Sequence, residues 1–352
     1  MTASGFLTPA LGDLTVSVER WILLQAELLR DAVRRGDPAA STVLGFTNLA
    51  PAASVIEADV DGALDLETAR LAIAKDHWYP DLADALAHGH DQVNTRFEAA
   101  ADAIAAGDLD ALHSLLDAEP ALVRIRSPFP HRQTLLHHVA ANGIEVERQG
   151  PAPANAVEIV RLLIERGAVP DATCESYGGG SGSTTLCLLV SSAGPAAAGV
   201  QATLVEELCR SGARVDGLDD DGLPLWTAIT FGYTEAAEAL ARCGARVDNL
   251  CFAAALGDLD RVRGFFDVDG RLRHDLPPVI RIGARGPRLA RDRLIEYALI
   301  WAAAHDRRPV VEYLLTKHPD LGVTEPCFDA TALGAARYHD NHEIVALLEP
   351  IT

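Results

Sequence analysis

Apolar residues recur along this chain at the three-to-four spacing of amphipathic helices, in short bursts separated by Gly, Asp and Pro. Val18, Ile22, Gln25, Leu28 and Leu29 share one helical face, and Gly36-Asp37-Pro38 predicts where that helix stops. A second helix is expected from near Asp65, with Leu66, Ala69, Ile73 and Ala74 together. A third follows Pro80, carrying Leu82, Ala85 and Leu86. Ala50-Pro51-Ala52-Ala53 reads as a linker or irregular turn.

Beyond about residue 95 the pattern repeats. Phe97–Leu116 is predicted as two short helices broken at Gly107-Asp108-Leu109-Asp110, and the same break returns at Gly257-Asp258-Leu259-Asp260. Gly ends the first helix in a left-handed turn and Asp caps the second through its carboxylate. A second phrase also returns. Gly212-Ala213-Arg214-Val215-Asp216 reappears 32 residues later as Gly244-Ala245-Arg246-Val247-Asp248, with an upstream relative in Gly167-Ala168-Val169-Pro170-Asp171. Each follows an apolar helical stripe. A fixed period of this size predicts a stack of similar helix-turn-helix units whose core lies between neighbours. The chain therefore divides into a non-repeated helical segment, 1–95, and a repeated region, 96–352.

Thr134-Leu135-Leu136-His137-His138-Val139-Ala140-Ala141-Asn142-Gly143 resembles the ankyrin-repeat signature Thr-Pro-Leu-His-x-Ala-Ala-x-x-Gly, with Leu135 where the family has Pro. Val157–Leu163 and Gly167-Ala168 match the rest of that repeat. Ala330–Ala336 followed by Glu343–Leu348 looks like a final copy. The resemblance implies an all-α ankyrin-repeat solenoid of about six units (96–127, 131–171, 184–216, 222–248, 249–273, 294–321), with 326–350 as a seventh that caps the end. Residues 1–95 would form a helical cap at the other end, because a terminal repeat otherwise exposes its apolar face. Segments 145–155, 177–183 and 271–293 depart from the repeat as insertions. As a whole the chain resembles bacterial ankyrin-like proteins with a helical N-terminal extension. That likeness implies a concave groove and confers no activity.

Composition narrows the partners. Hydrophobic residues make up 49% of the chain but aromatics only 5%, so the interior must rely on small aliphatic side chains in closely packed helices. The net charge of −20 argues against general binding to nucleic acid or an anionic membrane and favours partners of basic character. One local exception is Arg281, Arg285, Arg288, Arg291 and Arg293, read as a solvated loop or as a docking patch for an acidic group. No apolar run reaches membrane-spanning length, no secretion signal opens the chain, and six cysteines show no framework spacing. These features predict a cytoplasmic protein with reduced thiols. No cofactor is expected: the glycine run 178–182 lacks the Lys and Ser/Thr of a phosphate loop. No metal is expected either, since Cys-x-x-Cys and His-x-x-x-His are both missing.

The candidate chemistry clusters around the first clear repeat. His137 occupies a position where an imidazole bonds backbone and ties one repeat to the next. His138, about 100° further round the helix, is expected to point out of the core toward the groove. Beside it the insertion brings Glu145, Glu147 and Arg148, and Tyr177 stands at the base of the glycine run. Gly194–Gln201 reads as an expanded helix connection. Trp226 and Tyr233 flank the turn Phe231-Gly232, as groove anchors or, for Trp226, as core filling. Two function classes follow. The first is a binding protein that presents a concave groove, with His138, Arg148, Tyr177, Trp226 and Tyr233, to a protein or ligand. The alternative is a cofactor-independent lyase, isomerase or cyclase. In it His138 and Glu145 or Glu147 move protons, and Tyr177 or Arg148 stabilises negative charge. An enclosed cavity containing the insertion favours the alternative; an open face favours binding.

Overall fold

The computed structural model describes residues 7–9, 11–12, 14–49, 64–176, 182–282 and 287–352. The expected turn at Ala50–Ala53, Tyr177, most of the glycine run and Arg285 lie outside the described residues. The chain is mainly helical, and its strands are short antiparallel pairs. It falls into two compact units, Met1–Val200 and Gln201–Thr352. Residues up to 95 thus share a unit with the helices that follow them.

The first unit opens with β1 (Thr15–Ser17) and α1 (Val18–Arg34), followed by α2 (Pro38–Phe46), α3 (Leu66–Asp76), α4 (Leu82–Ala87) and β2 (Gln92–Asn94). Side-chain oxygens start every one of these helices: Ser17, Asp37, Asp65 and Asp81 each accept a backbone N–H from the first turn. β1 pairs with β2, setting Val16 opposite Val93, and so ties the strand that leads into α1 to the strand that leads into α5 (Thr95–Ala106). Trp21, Ile22, Leu29, Leu44 and Ile73 fill the core inside this ring, and Phe129 reaches into it from the loop beyond.

The predicted break follows in detail. α5 ends on Gly107 at φ 74°, and Asp108 caps α6 (Leu109–Ala118) by accepting Ala111 N–H at 2.9 Å. α7 (Leu135–His138) is a single turn. α8 (Ala156–Glu165), the strand pair β3 (Thr173–Cys174) and β4 (Ser183–Thr184), α9 (Thr185–Leu189) and α10 (Ala193–Ala197) complete the unit. α7 packs between α5 and α9. His137 Nδ1 accepts Thr134 N–H at 3.1 Å. That places its proton on Nε2, which donates to the Ala172 carbonyl at 2.9 Å and ties the α7 turn to the strand before the next helix.

The second unit is a stack of helix pairs. α11 (Gln201–Arg210) packs on α13 (Thr234–Arg242). The first helices of successive pairs, α12 (Leu223–Thr230), α14 (Leu250–Ala255), α16 (Leu294–Ala304) and α18 (Ala332–Tyr338), each pack on the next. The second helices α15 (Leu259–Gly264), α17 (Arg308–Leu315) and α19 (His342–Leu348) do the same. Buried alanines at 253–255, 298 and 302–303 let the first helices approach closely. Polar side chains satisfy the helix ends between pairs: Asn341 donates to the carbonyls of Ala303 and Ala304, and His305 Nε2 donates to Ile229 O at 2.9 Å. The 271–293 insertion carries the hairpin β5 (Val279–Arg281) and β6 (Arg288–Ala290). No described helix is long and apolar enough to cross a membrane. Of the six free cysteines, Cys174 and Cys251 are buried and Cys327 is exposed.

Candidate functional site

The insertion after α7 folds inward and makes the first unit's interior polar. Gly143 turns at φ 69° against Ser176, where a Cβ would meet the Ser176 side chain at 2.7 Å. That turn delivers Glu145 into the space between the N-terminal helices and α5. Glu145 Oε1 accepts from His77 Nδ1 at 2.9 Å and from His131 Nε2 at 3.2 Å, while Oε2 accepts from Arg148 at 3.1 Å. His131 Nδ1 accepts the Gln133 N–H at 3.2 Å, which fixes its proton on the nitrogen facing Glu145. His77 stacks on Phe129 with ring centroids 3.6 Å apart, and its Nε2 stands 2.6 Å from Oε1 of Gln25. Oxygens at both of its nitrogens favour the imidazolium, but burial prevails and holds its pKa below the ordinary value.

One turn later Arg148 gathers carboxylates from α5. It donates to Glu98 at 2.8 Å, to Asp102 at 2.9 Å and to Glu145. The Arg148, Glu98 and Glu145 side chains are almost wholly shut from solvent. Their electrostatics divide. Although burial opposes it, the surrounding cations and histidines hold Glu145 well below the usual carboxylate range, Arg148 foremost. Glu98 is pushed up to about 7 by burial, against the pull of Arg148. Asp76, which accepts Val146 N–H at 3.0 Å, also rises to about 7 by burial.

Above this network lies a cleft of about 740 Å³, within the usual range of small-molecule sites. Its walls come from α2 (Val43, Phe46), α5 (Ile104), α7 (His138), α8 (Ile159) and the run Val146–Pro153. The run is held from behind. Gly150 O sits so close to Gly194 that a Cβ there would meet it at 2.4 Å, and so the Gly194-Pro195 connection has a structural use. Most of the lining is apolar; the ionisable groups are His138, Glu147 and Arg148.

His138 is buried, at 4% exposure, and does not point away from the core as expected. The reason is that α7 lasts one turn and two rings close over it: Phe97 and His131 lie edge-on, with centroids 5.9 and 6.3 Å away. Neither ring nitrogen has a hydrogen-bond partner among the described residues, and burial lowers its pKa well below the ordinary value, so the ring is neutral. Glu147 is half-buried, accepts Leu7 N–H at 3.3 Å, and is pushed by burial up to about 8, which keeps it a protonated acid at neutral pH.

Of the residues singled out in the sequence, His138, Arg148 and Glu147 come together at this cleft. Glu145 does not line it, being spent beneath on His77, His131 and Arg148, and Arg148 is itself saturated by carboxylates. Trp226 is buried in the second unit, edge-on to Trp301 at 4.5 Å, where it fills space rather than offering an anchor. Tyr233 is half-buried, with its hydroxyl pKa raised by burial. Sequence reasoning missed His77, His131, Glu98, Asp102 and Gln25. They are scattered over more than a hundred positions, and the only cue was polar residues set within apolar helical faces, as Gln25 is in α1. No group of His, Cys, Asp and Glu that could hold a metal occurs among the described residues.

No family model matches the chain. A stretch of 66 residues is 41% identical to the E3 ubiquitin-protein ligase XB3 of Oryza sativa subsp. japonica; it covers 19% of this chain and only 12% of that protein.

Proposed function

We propose that this chain is an ankyrin-type protein whose first unit takes a small, largely apolar organic molecule into the cleft beside α7 and acts on it by proton transfer. The helix-pair stack and the signature at 134–143 support the ankyrin reading of the fold. One observation carries the functional reading: in the wall of a mainly apolar cleft the protonated acid Glu147 stands with His138, a neutral ring whose nitrogens are shut from solvent and have no hydrogen-bond partner among the described residues. A buried polar group left unsatisfied costs about 1–3 kcal/mol, and a bound molecule's polar atom would remove that cost once the Phe97 and His131 rings move aside to uncover a His138 nitrogen.

The division of roles follows from the charges. His138 is the base, taking a proton as the imidazolium forms. Glu147 is the acid, giving one to the atom where negative charge develops. Glu145 and Arg148 set the framework and stay ionised. Such a pair suits isomerisation, dehydration or cyclisation of a neutral substrate and needs no added cofactor. The match to a ubiquitin ligase covers too little of that protein to bring its activity across.

The test is turnover. The full chain is incubated with pooled neutral metabolites, and mass spectrometry follows loss of substrate or gain of an isomer or dehydrated product. Glu147→Gln, which replaces the acid O–H with an amide N–H donor that cannot give up its proton, should bind but turn over at least about a hundredfold more slowly, the usual contribution of a positioned acid. Unchanged turnover in both Glu147→Gln and a folded His138→Asn would sink the reading.

A further inference from the structure

The second unit carries a separate feature that the cleft chemistry does not use. Three of the exposed large apolar side chains, Phe231, Phe328 and Tyr338, converge on one groove of about 400 Å³. Phe328 is 60% exposed and Tyr338 84% exposed. The Phe231 and Phe328 rings stand 5.8 Å apart at 77° to each other, so they form a corner. Trp301 lies in the floor with Ile300 and Ala304.

The corner is built to stay open. Glu325, 4% exposed, staples the loop that presents Phe328 by accepting the backbone N–H groups of Cys327 and Phe328, each at 2.6 Å. On the opposite side Gly232 lies at φ 76°, and a Cβ there would meet the His339 ring at 2.1 Å. The imidazole therefore leans directly over the turn beside Phe231. An apolar ring held in water by a rigid loop is a preformed contact that gains from being covered.

Charge says what covers it. Among the described residues the groove lining holds one carboxylate, Glu325, buried against three backbone N–H groups, one imidazole, His339, and no Lys or Arg. Asp329 and Asp340 adjoin two lining residues in sequence, Arg337 next to Tyr338 is engaged by Glu349, and the chain as a whole carries −20. Aromatic faces around a negative centre are the chemistry that recognises an alkylated ammonium, whose positive charge is spread over methyl groups. We infer that this groove is a binding site for a small quaternary ammonium group, seated in the corner of Phe231 and Phe328 and covered by Tyr338. The site is independent of the proposed reaction in the first unit.

The probe pair is choline and its uncharged isostere 3,3-dimethylbutan-1-ol, titrated into the full chain and read by the fluorescence of Trp301 in the groove floor and by calorimetry. Choline should bind, and the isostere should bind about three- to fivefold more weakly, as loss of an exposed cation–π contact implies. Tyr338→Ala and Phe328→Ala alter exposed side chains, so they should melt as the parent does while losing most choline affinity. Equal binding of both probes would identify a plain apolar groove and overturn the inference. So would the absence of choline binding, or full choline affinity in the double variant.

Discussion

Arg148 holds Glu98 at 2.8 Å although the two lie fifty residues apart, one on an inward-folded insertion and the other on α5. The pair is shut from solvent on both sides. Charges so buried repay their dehydration only through close geometry and further hydrogen bonds, which Asp102, Glu145 and the Glu98 carbonyl supply here. Removing the cation should therefore be severe. Arg148→Met leaves Glu145 and Asp102 facing an uncompensated interior and should destabilise the protein by about 3–5 kcal/mol in urea denaturation. Adding Glu98→Gln should recover part of that loss, which a double-mutant cycle measures.

A pH dependence follows from the same interior. Glu98 and Asp76 are raised to about 7, and Glu147 to about 8, so the native state holds protons that the unfolded chain has already released. An acid raised on folding contributes stability that is lost as pH climbs through its folded value. The buried histidines, lowered on folding, act in the opposite sense only below the ordinary histidine range. Between pH 7 and 8.5 the carboxyl groups decide, and the melting temperature should fall. In Glu147→Gln that slope should be visibly flatter; an equal slope would mean that Glu147 is ionised at neutral pH.

The mainly helical chain and its punctuation were legible in the sequence. The Gly-Asp breaks at 107–110 and 257–260 fold as read, with Gly107 and Gly257 left-handed and Asp108 and Asp258 capping the next helix. His137 binds backbone as expected: one partner, Thr134, is local, and the other, the Ala172 carbonyl, lies just before β3. The site was legible only in outline. Periodicity put His138 one step off the core face, but a one-turn helix has no free side once Phe97 and His131 close over it. Glu145 and Glu147 looked equivalent on the insertion. Their separation into a paired anion and a protonated acid depends first on Arg148 turning to Glu145, and then on His131 and His77, which arrive from 14 and 68 residues away. No local pattern encodes that convergence. Alanine-rich composition did forecast that the few large rings fill space, as Trp226 does. Trp226→Ala should cost about 3–5 kcal/mol by opening a cavity against Trp301 and Phe252, measurable as a lowered urea midpoint with an unchanged slope.

The shape of the cleft depends on a contact between backbones. Gly194 gives way to Gly150 O so closely that any Cβ there would lie 2.4 Å from that oxygen, with no flexible side chain to yield. Gly194→Ala must therefore push back the run Val146–Pro153, which forms one wall of the cleft and carries Glu147 and Arg148. Gly150 lies two residues beyond Arg148, whose side chain is anchored by Glu98, Asp102 and Glu145, so Arg148 should keep its carboxylates while the wall shifts. The expected result is a separation of two readouts: a modest loss of stability, about 1–3 kcal/mol as for overpacking elsewhere, with a much larger loss of ligand binding in the cleft. A wild-type crystal structure soaked with a bound fragment, set beside that of Gly194→Ala, would measure the displacement directly. Fragment binding that survives the substitution unchanged would show that the Gly150 wall does not shape the site.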